Sequence, residues 1–155
     1  MLDGRIIAEE LRGMAGRDPD AILKHAVERL RQGGDNYDWV GIYLLAGDQL
    51  ILHNYVGRAT EHARIPVGRG ICGTAVAEGR DINVPDVQAV ENYLACSFET
   101  RSEIVVLIRS GDRILGQIDI DSDTPAAFDD SDEREIRVVA DALGETLADR
   151  LSHDQ

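Results

Sequence analysis

Ile22, Leu23, Ala26, Val27 and Leu30 fall at the three- and four-residue spacing that gathers apolar side chains on one helix face. Asp18-Pro19 predicts the start of that helix, with Asp as N-cap and Pro at the first helical position, and Gly33-Gly34 predicts its end. A shorter amphipathic segment carrying Ile6, Ile7 and Leu11 precedes it. The pattern then changes. Trp39-Val40-Gly41-Ile42-Tyr43-Leu44-Leu45 predicts a strand, Gly47-Asp48 a turn, and Leu50 to Val56 a strand that pairs back as a hairpin. Gly57 to Arg69 predicts a loop, Gly70 to Glu78 a short helix entered through glycines, and Ile82-Asn83-Val84 a brief strand closed by Pro85-Asp86. Ile104 to Ile108 and Arg113 to Asp121 predict a second hairpin around Ser110-Gly111-Asp112. A long helix ends the chain, with Asp130 as cap, Glu133 three residues on, and Ile136, Val139, Leu143, Leu147 and Leu151 along one face. Helices at both ends around a central antiparallel sheet predict an α+β domain.

Composition narrows the function classes. A chain of 155 residues is the size of one domain with a proper core. Its net charge of −13 argues against nucleic acid, which needs clustered Lys and Arg, and against anionic membrane surfaces. Charges stand near the N-terminus where a signal peptide needs its apolar run, and the longest aliphatic run, Ile104 to Ile108, is too short to span a bilayer. A cytoplasmic protein is the expectation. Two cysteines cannot staple a secreted scaffold of this size, so a reducing compartment fits. With no CxxC and no Cys/His cluster at metal spacing, no metal is expected.

Both cysteines lie between Arg64 and Asp123. By type alone a cysteine is most often a small buried hydrophobe. Cys72, in Gly68-Arg69-Gly70-Ile71-Cys72-Gly73, stands where glycines let backbone approach a ligand and a helix begins. A helix N-terminus lowers a thiol's pKa. Cys96, in Asn92-Tyr93-Leu94-Ala95-Cys96-Ser97, falls in a loop poor in apolar residues, a setting that favours reactivity. Asp119 and Asp121 share one face of their strand while Ile118 and Ile120 point the other way, and Glu103 opens the neighbouring strand. These acids are either solvated strand ends or converging carboxylates that need a cation or a shared proton among them. An ammonium group, or a substrate oxygen needing a proton, would supply it. Trp39 and Tyr43 share a face of the first strand, as core aromatics or as lining around an apolar group such as a thioether. The stripe on the last helix packs the sheet or pairs with a second subunit.

Several blocks together resemble one family. Trp39-Val40-Gly41-Ile42-Tyr43, Arg64-Ile65-Pro66-Val67-Gly68, Gly70-Ile71-Cys72-Gly73, Val84-Pro85-Asp86-Val87, Ala95-Cys96, Arg101-Ser102-Glu103-Ile104-Val105 and Ile118-Asp119-Ile120-Asp121-Ser122 are similar to the signature blocks of the free methionine-(R)-sulfoxide reductases. The resemblance runs in order from about Tyr37 to the C-terminal helix. It implies a single GAF domain over residues 1–155, with N-terminal helices in 1–34, sheet and pocket in 37–123, and a C-terminal helix in 130–152. The helices would cover one face of the sheet and a loop-covered small-molecule pocket the other. It implies thiol-dependent reduction of free methionine sulfoxide through a cysteine sulfenic acid, an antioxidant reaction without metal or organic cofactor. Cys96 matches the family's nucleophile and Cys72 a second cysteine, while Glu103, Asp119 and Asp121 match acids that hold the substrate and assist its oxygen. Trp39 and Tyr43 match aromatics near the thioether end. A thioredoxin-type reductant and a homodimer are implied as partners.

One position departs. The family's third cysteine, two residues before the Arg-Ile-Pro block, is His62 here. Cys72 or an external thiol then resolves the sulfenic acid. His62 is either a solvated loop residue or an imidazole that pairs with Cys96 and tunes its pKa. The alternative function is a non-catalytic GAF module that binds a small polar metabolite or senses oxidants.

Overall fold

The computed structural model describes residues 1–90 and 99–151, at 149 and 151 the backbone only. Cys96 and the side chain of Leu151 therefore lie outside the described residues. Helices α1 (Gly4–Gly13) and α2 (Pro19–Gly33) come first. The hairpin β1 (Trp39–Ala46) and β2 (Gln49–Val56) follows, then β3 (Arg64–Pro66), α3 (Gly70–Glu78) and β4 (Ile82–Val84). The chain closes with the hairpin β5 (Ser102–Ser110) and β6 (Arg113–Ser122) and the long helix α4 (Asp130–Leu151). Among the described residues the strands make one antiparallel sheet in the order β3-β2-β1-β6-β5-β4, so the two hairpins meet at its centre through β1 and β6.

Strand alternation divides the sheet into two chemically distinct faces. In register, Val40 and Ile42 pair with Ile120 and Ile118, and these pair with Ile104 and Val106. Those six side chains belong to one buried cluster with Ile7 and Leu11 of α1, Ile22 and Val27 of α2, and Ile136, Val139, Leu143 and Leu147 of α4. The alternate residues Trp39, Tyr43, Val105 and Leu107 join Ile65 and the α3 residues Ile71, Cys72 and Ala75 in a second cluster on the opposite face. Close approach is built in: a Cβ at Gly144 of α4 would overlap the carbonyl oxygen of Arg109 at the end of β5.

Four expectations change. The stretch from Gly57 to Arg69 contains an edge strand, β3, whose one buried residue is Ile65. A single apolar position is too short a signal for alternation. The α4 cap is Asp129, not Asp130: its carboxylate accepts from the Asp132 amide (2.9 Å) while Asp132 accepts in return from the Asp129 amide (3.0 Å). Ile6 stands on the outer face of α1, 44% exposed, because only Ile7, Ala8 and Leu11 reach the core there. The described part of the α4 stripe is consumed within the chain, with Ile136, Val139, Leu143 and Leu147 fully buried. The three helices cover the sheet together, so these four side chains pack within the chain.

Candidate active site

The non-helical face holds the chemistry. Cross-strand register sets Glu103 opposite Asp121, and Asp119 opposite both Val105 and Gly41. Glu103, Asp119 and Asp121 are 4%, 1% and 1% exposed, so the acids are buried and converge rather than lying solvated at strand ends. Helix α3 crosses this face. Its entry needs Gly68 and Gly70 at positive φ (+93° and +65°), where a side chain is strained. A Cβ at Gly73 would sit 2.5 Å from the Pro66 carbonyl oxygen, so α3 packs directly on the β3 edge.

That packing drives Cys72 into the acids. Its thiol, 5% exposed, donates to Glu103 Oε2 at 3.8 Å, and the ligand atoms of Cys72, Glu103 and Asp119 all lie within 4.8 Å of one another. Burial pushes the Cys72 thiol well above its ordinary pKa, and the carboxylates of Asp119, Glu103 and Asp121 push the same way. The sequence expectation of a thiol lowered by a helix N-terminus is overturned. The partial charge of a helix end, about half an elementary charge, is outweighed by desolvation and three acids. Asp119 is also raised, by burial, against the opposing hydrogen bonds of Glu103 and Cys72 and the charge of His62. Its Oδ1 has no hydrogen-bond partner among the described residues.

A narrow, part-open recess with room for little more than one water lies beside these groups, lined by Tyr43, His62, Ile65, Gly70, Ile71, Cys72, Glu103 and Asp119. Tyr43 and His62 both stand in its wall. Trp39 does not reach that wall. Its indole stacks on Tyr55 (centroids 5.4 Å, 20° between planes) and donates from Nε1 to the Arg58 carbonyl at 3.0 Å. Tyr43 donates its hydroxyl to the His62 carbonyl at 2.7 Å. The two aromatics thus hold both ends of the loop that carries His62. Arg58, on that loop, also pairs with Asp123 (3.0 Å) and Glu99 (2.8 Å). Asp121 lies in the acid cluster behind the lining residues.

One residue escaped the sequence reading. Gln117 is fully buried on the same strand face as Asp119 and Asp121, and its Nε2 donates to the Cys72 carbonyl at 3.0 Å. It ties the first turn of α3 to the sheet. A polar residue two positions before Asp119, at the same period, was the available signal. The arrangement can hold a cationic group on buried carboxylates, store a proton on a carboxyl of raised pKa, and present a protonated thiol.

The chain matches the GAF domain model over residues 18–147. It is 40% identical over 111 residues to a free methionine-R-sulfoxide reductase of Escherichia coli K12, covering 72% of this chain and 67% of that one. A type II free methionine-R-sulfoxide reductase from Thermoplasma acidophilum superposes with a TM-score of 0.81 at 36% identity, over 90% of this chain and 96% of that one. The free methionine-R-sulfoxide reductase of Neisseria meningitidis, solved in complex with its substrate, superposes with a TM-score of 0.84 at 34% identity, over 94% and 88%.

Proposed function

This chain belongs to the GAF domain family, and we propose that it reduces free L-methionine-(R)-sulfoxide to methionine. The observation that carries the reading is the buried group Glu103, Asp119 and Asp121 beside the recess, with an Asp119 oxygen lacking a partner among the described residues. A buried carboxylate oxygen left in that state is costly, and the free α-ammonium of an amino acid supplies a partner of opposite charge. A methionine inside a peptide has no such group. The likeness to reductases, two-thirds or more of whose length this chain covers, supports the same substrate.

In this reading Cys96 attacks the sulfoxide sulfur. The S–O bond breaks, the oxygen ends on the cysteine as sulfenic acid, and the sulfoxide is reduced by two electrons to the thioether. Glu103, which already accepts from the Cys72 thiol, delivers the proton that the oxygen needs, while Asp119 and Asp121 hold the ammonium. Cys72 then condenses with the sulfenic acid, releasing water and forming a disulfide, and a thioredoxin-type dithiol reopens it. Tyr43 borders the thioether, Trp39 supports the loop above it, and His62 tunes the attacking thiol from the recess wall.

The remaining assignments are a cytoplasmic setting and a homodimer. No helix among the described residues is long and apolar enough to cross a membrane. With the α4 stripe buried, the dimer would use the outer face of α1, where Ile6 is exposed. The deciding experiment measures methionine formed from free R epimer, free S epimer and a sulfoxide-containing peptide with a thioredoxin system. Turnover confined to the free R epimer is expected. Binding of the free R epimer without methionine formation would instead establish a ligand-binding module.

A further inference from the structure

Cys72, Glu103 and Asp119 bring one sulfur and two carboxylate oxygens within 4.8 Å of one another, and His62 borders the same recess. We propose that this recess is also a site for a borderline divalent cation, zinc above all, bound by Cys72, Glu103 and Asp119 with His62 as fourth ligand. The metal would compete with substrate.

The geometry fits that ion. Zinc holds sulfur at about 2.3 Å and carboxylate oxygen at about 2.0–2.2 Å, so a tetrahedral angle sets sulfur and oxygen about 3.6 Å apart. Cys72 Sγ and Glu103 Oε2 are already 3.8 Å apart. Asp119 adds a separate observation: it is 1% exposed, lines the recess, and keeps Oδ1 without a hydrogen-bond partner among the described residues. A buried acceptor left in that state calls for a ligand. The Gln117 Oε1 on the same strand face also has no hydrogen-bond partner among the described residues.

Donor chemistry selects the ion. A thiol and an imidazole among the donors favour zinc over calcium or magnesium, which take oxygen ligands. Three protein donors on the rigid sheet and α3, with a fourth on a loop, leave an approach through the recess mouth. Binding forms a zinc–sulfur bond, releases the thiol proton to solvent and changes no oxidation state. Competition with substrate rests on the reading above, in which the ammonium takes the same carboxylates. Occupied by metal, Cys72 could not condense with a sulfenic acid either.

The test uses the Cys96→Ser protein, stripped with a chelator and titrated with cobalt(II). The chain has two cysteines, so any thiolate-to-cobalt charge-transfer band in that protein arises from Cys72. One cobalt per chain with such a band is expected, displaced by one equivalent of zinc. Asp119→Asn and His62→Ala should each weaken cobalt binding by about tenfold or more. Glu103→Gln takes the place of Asp119→Asn should that variant not fold. Absence of the band, displacement by calcium or magnesium, or an affinity unchanged in either variant would overturn the site. In the wild-type enzyme zinc should raise KM for the sulfoxide and, by blocking the condensation at Cys72, lower kcat as well. The cobalt titration requires no turnover, so its outcome is separate from that of the reductase assay.

Discussion

The two faces of β5 and β6 are equally buried and do opposite work. Ile104, Val106, Ile118 and Ile120 look toward α1, α2 and α4, while Glu103, Gln117, Asp119 and Asp121 alternate with them and look toward α3 and the recess. Each fully buried aliphatic side chain on the first face stabilises the fold by about 1.5–3 kcal/mol. On the second face, the Asp119 Oδ1, without a hydrogen-bond partner among the described residues, costs stability. Burial alone therefore does not locate a core. Polarity at matched burial separates the face that holds the protein together from the face that holds a ligand.

The comparison breaks or stands on paired substitutions. The largest effect belongs to the proposed nucleophile: Cys96→Ser should yield no methionine in a single turnover without reductant, whereas Cys72→Ser should yield one equivalent and fail to recycle. A full equivalent from the Cys96 variant would reverse the assignment of the two thiols. Next comes Asp119→Asn against its neighbour Ile118→Ala. Leaving a substrate ammonium without its buried partner costs about 2–5 kcal/mol, so kcat/KM should fall by roughly thirtyfold to a few thousandfold while Tm holds or rises. Ile118→Ala should cost about 2–5 kcal/mol of stability by opening a cavity, with kcat/KM of the folded protein little changed. Denaturant unfolding and steady-state kinetics on both variants decide it. If Asp119→Asn unfolds as readily as Ile118→Ala and keeps its activity, the faces do not divide the labour.

Much of this was legible along the chain. Helical spacing placed α2 from Asp18-Pro19 to Gly33, and alternation placed Ile118 and Ile120 opposite Asp119 and Asp121. What failed depended on neighbours distant in sequence. Cys72 looked like a thiol activated by a helix end because nothing local reveals that α3 lays it on Glu103 and Asp119. The same tertiary convergence creates a sulfur-and-carboxylate group that no local metal spacing announces. Trp39 was legible as an aromatic on the right face, but its indole N–H is committed to the Arg58 carbonyl, and strand periodicity says nothing of where a side chain's polar end goes. β3 was missed because pairing at an edge, not a pattern, makes it a strand.

A third effect, smaller, concerns pH. Asp119 has a folded-state pKa above its unfolded value, so the stability linked to its proton is fully present below about pH 3.9 and is lost as pH rises through the folded value. Glu10 runs the other way. Hydrogen bonds from Arg29 and His25 hold its carboxyl down to about 2, so its contribution is present above its unfolded pKa and is lost as pH falls toward that value. Asp119→Asn should therefore flatten the fall in Tm as pH rises above about 3.9, and Glu10→Gln the fall as pH drops below its unfolded pKa, where the partial exposure of the ion pair keeps the change small. Matching profiles for wild type and Asp119→Asn would mean that its proton is not linked to folding.

The smallest effect separates the ring of Tyr43 from its hydroxyl. The ring borders the recess, and the hydroxyl holds the His62 carbonyl at 2.7 Å, so the residue both lines the site and pins the loop above it. Tyr43→Phe keeps the ring and removes one hydrogen bond, a net change of about 0.5–1.5 kcal/mol, or roughly twofold to twelvefold. Because the bond fixes the loop and touches no reacting atom, the change should appear in KM, with kcat held. The Trp39 indole keeps the other end of the loop in place through the Arg58 carbonyl, which limits the loss. Tyr43→Leu, which removes ring and hydroxyl together, should lower kcat/KM further. Kinetics indistinguishable between wild type and Tyr43→Phe would show that the ring alone matters and that the loop needs no pin at His62.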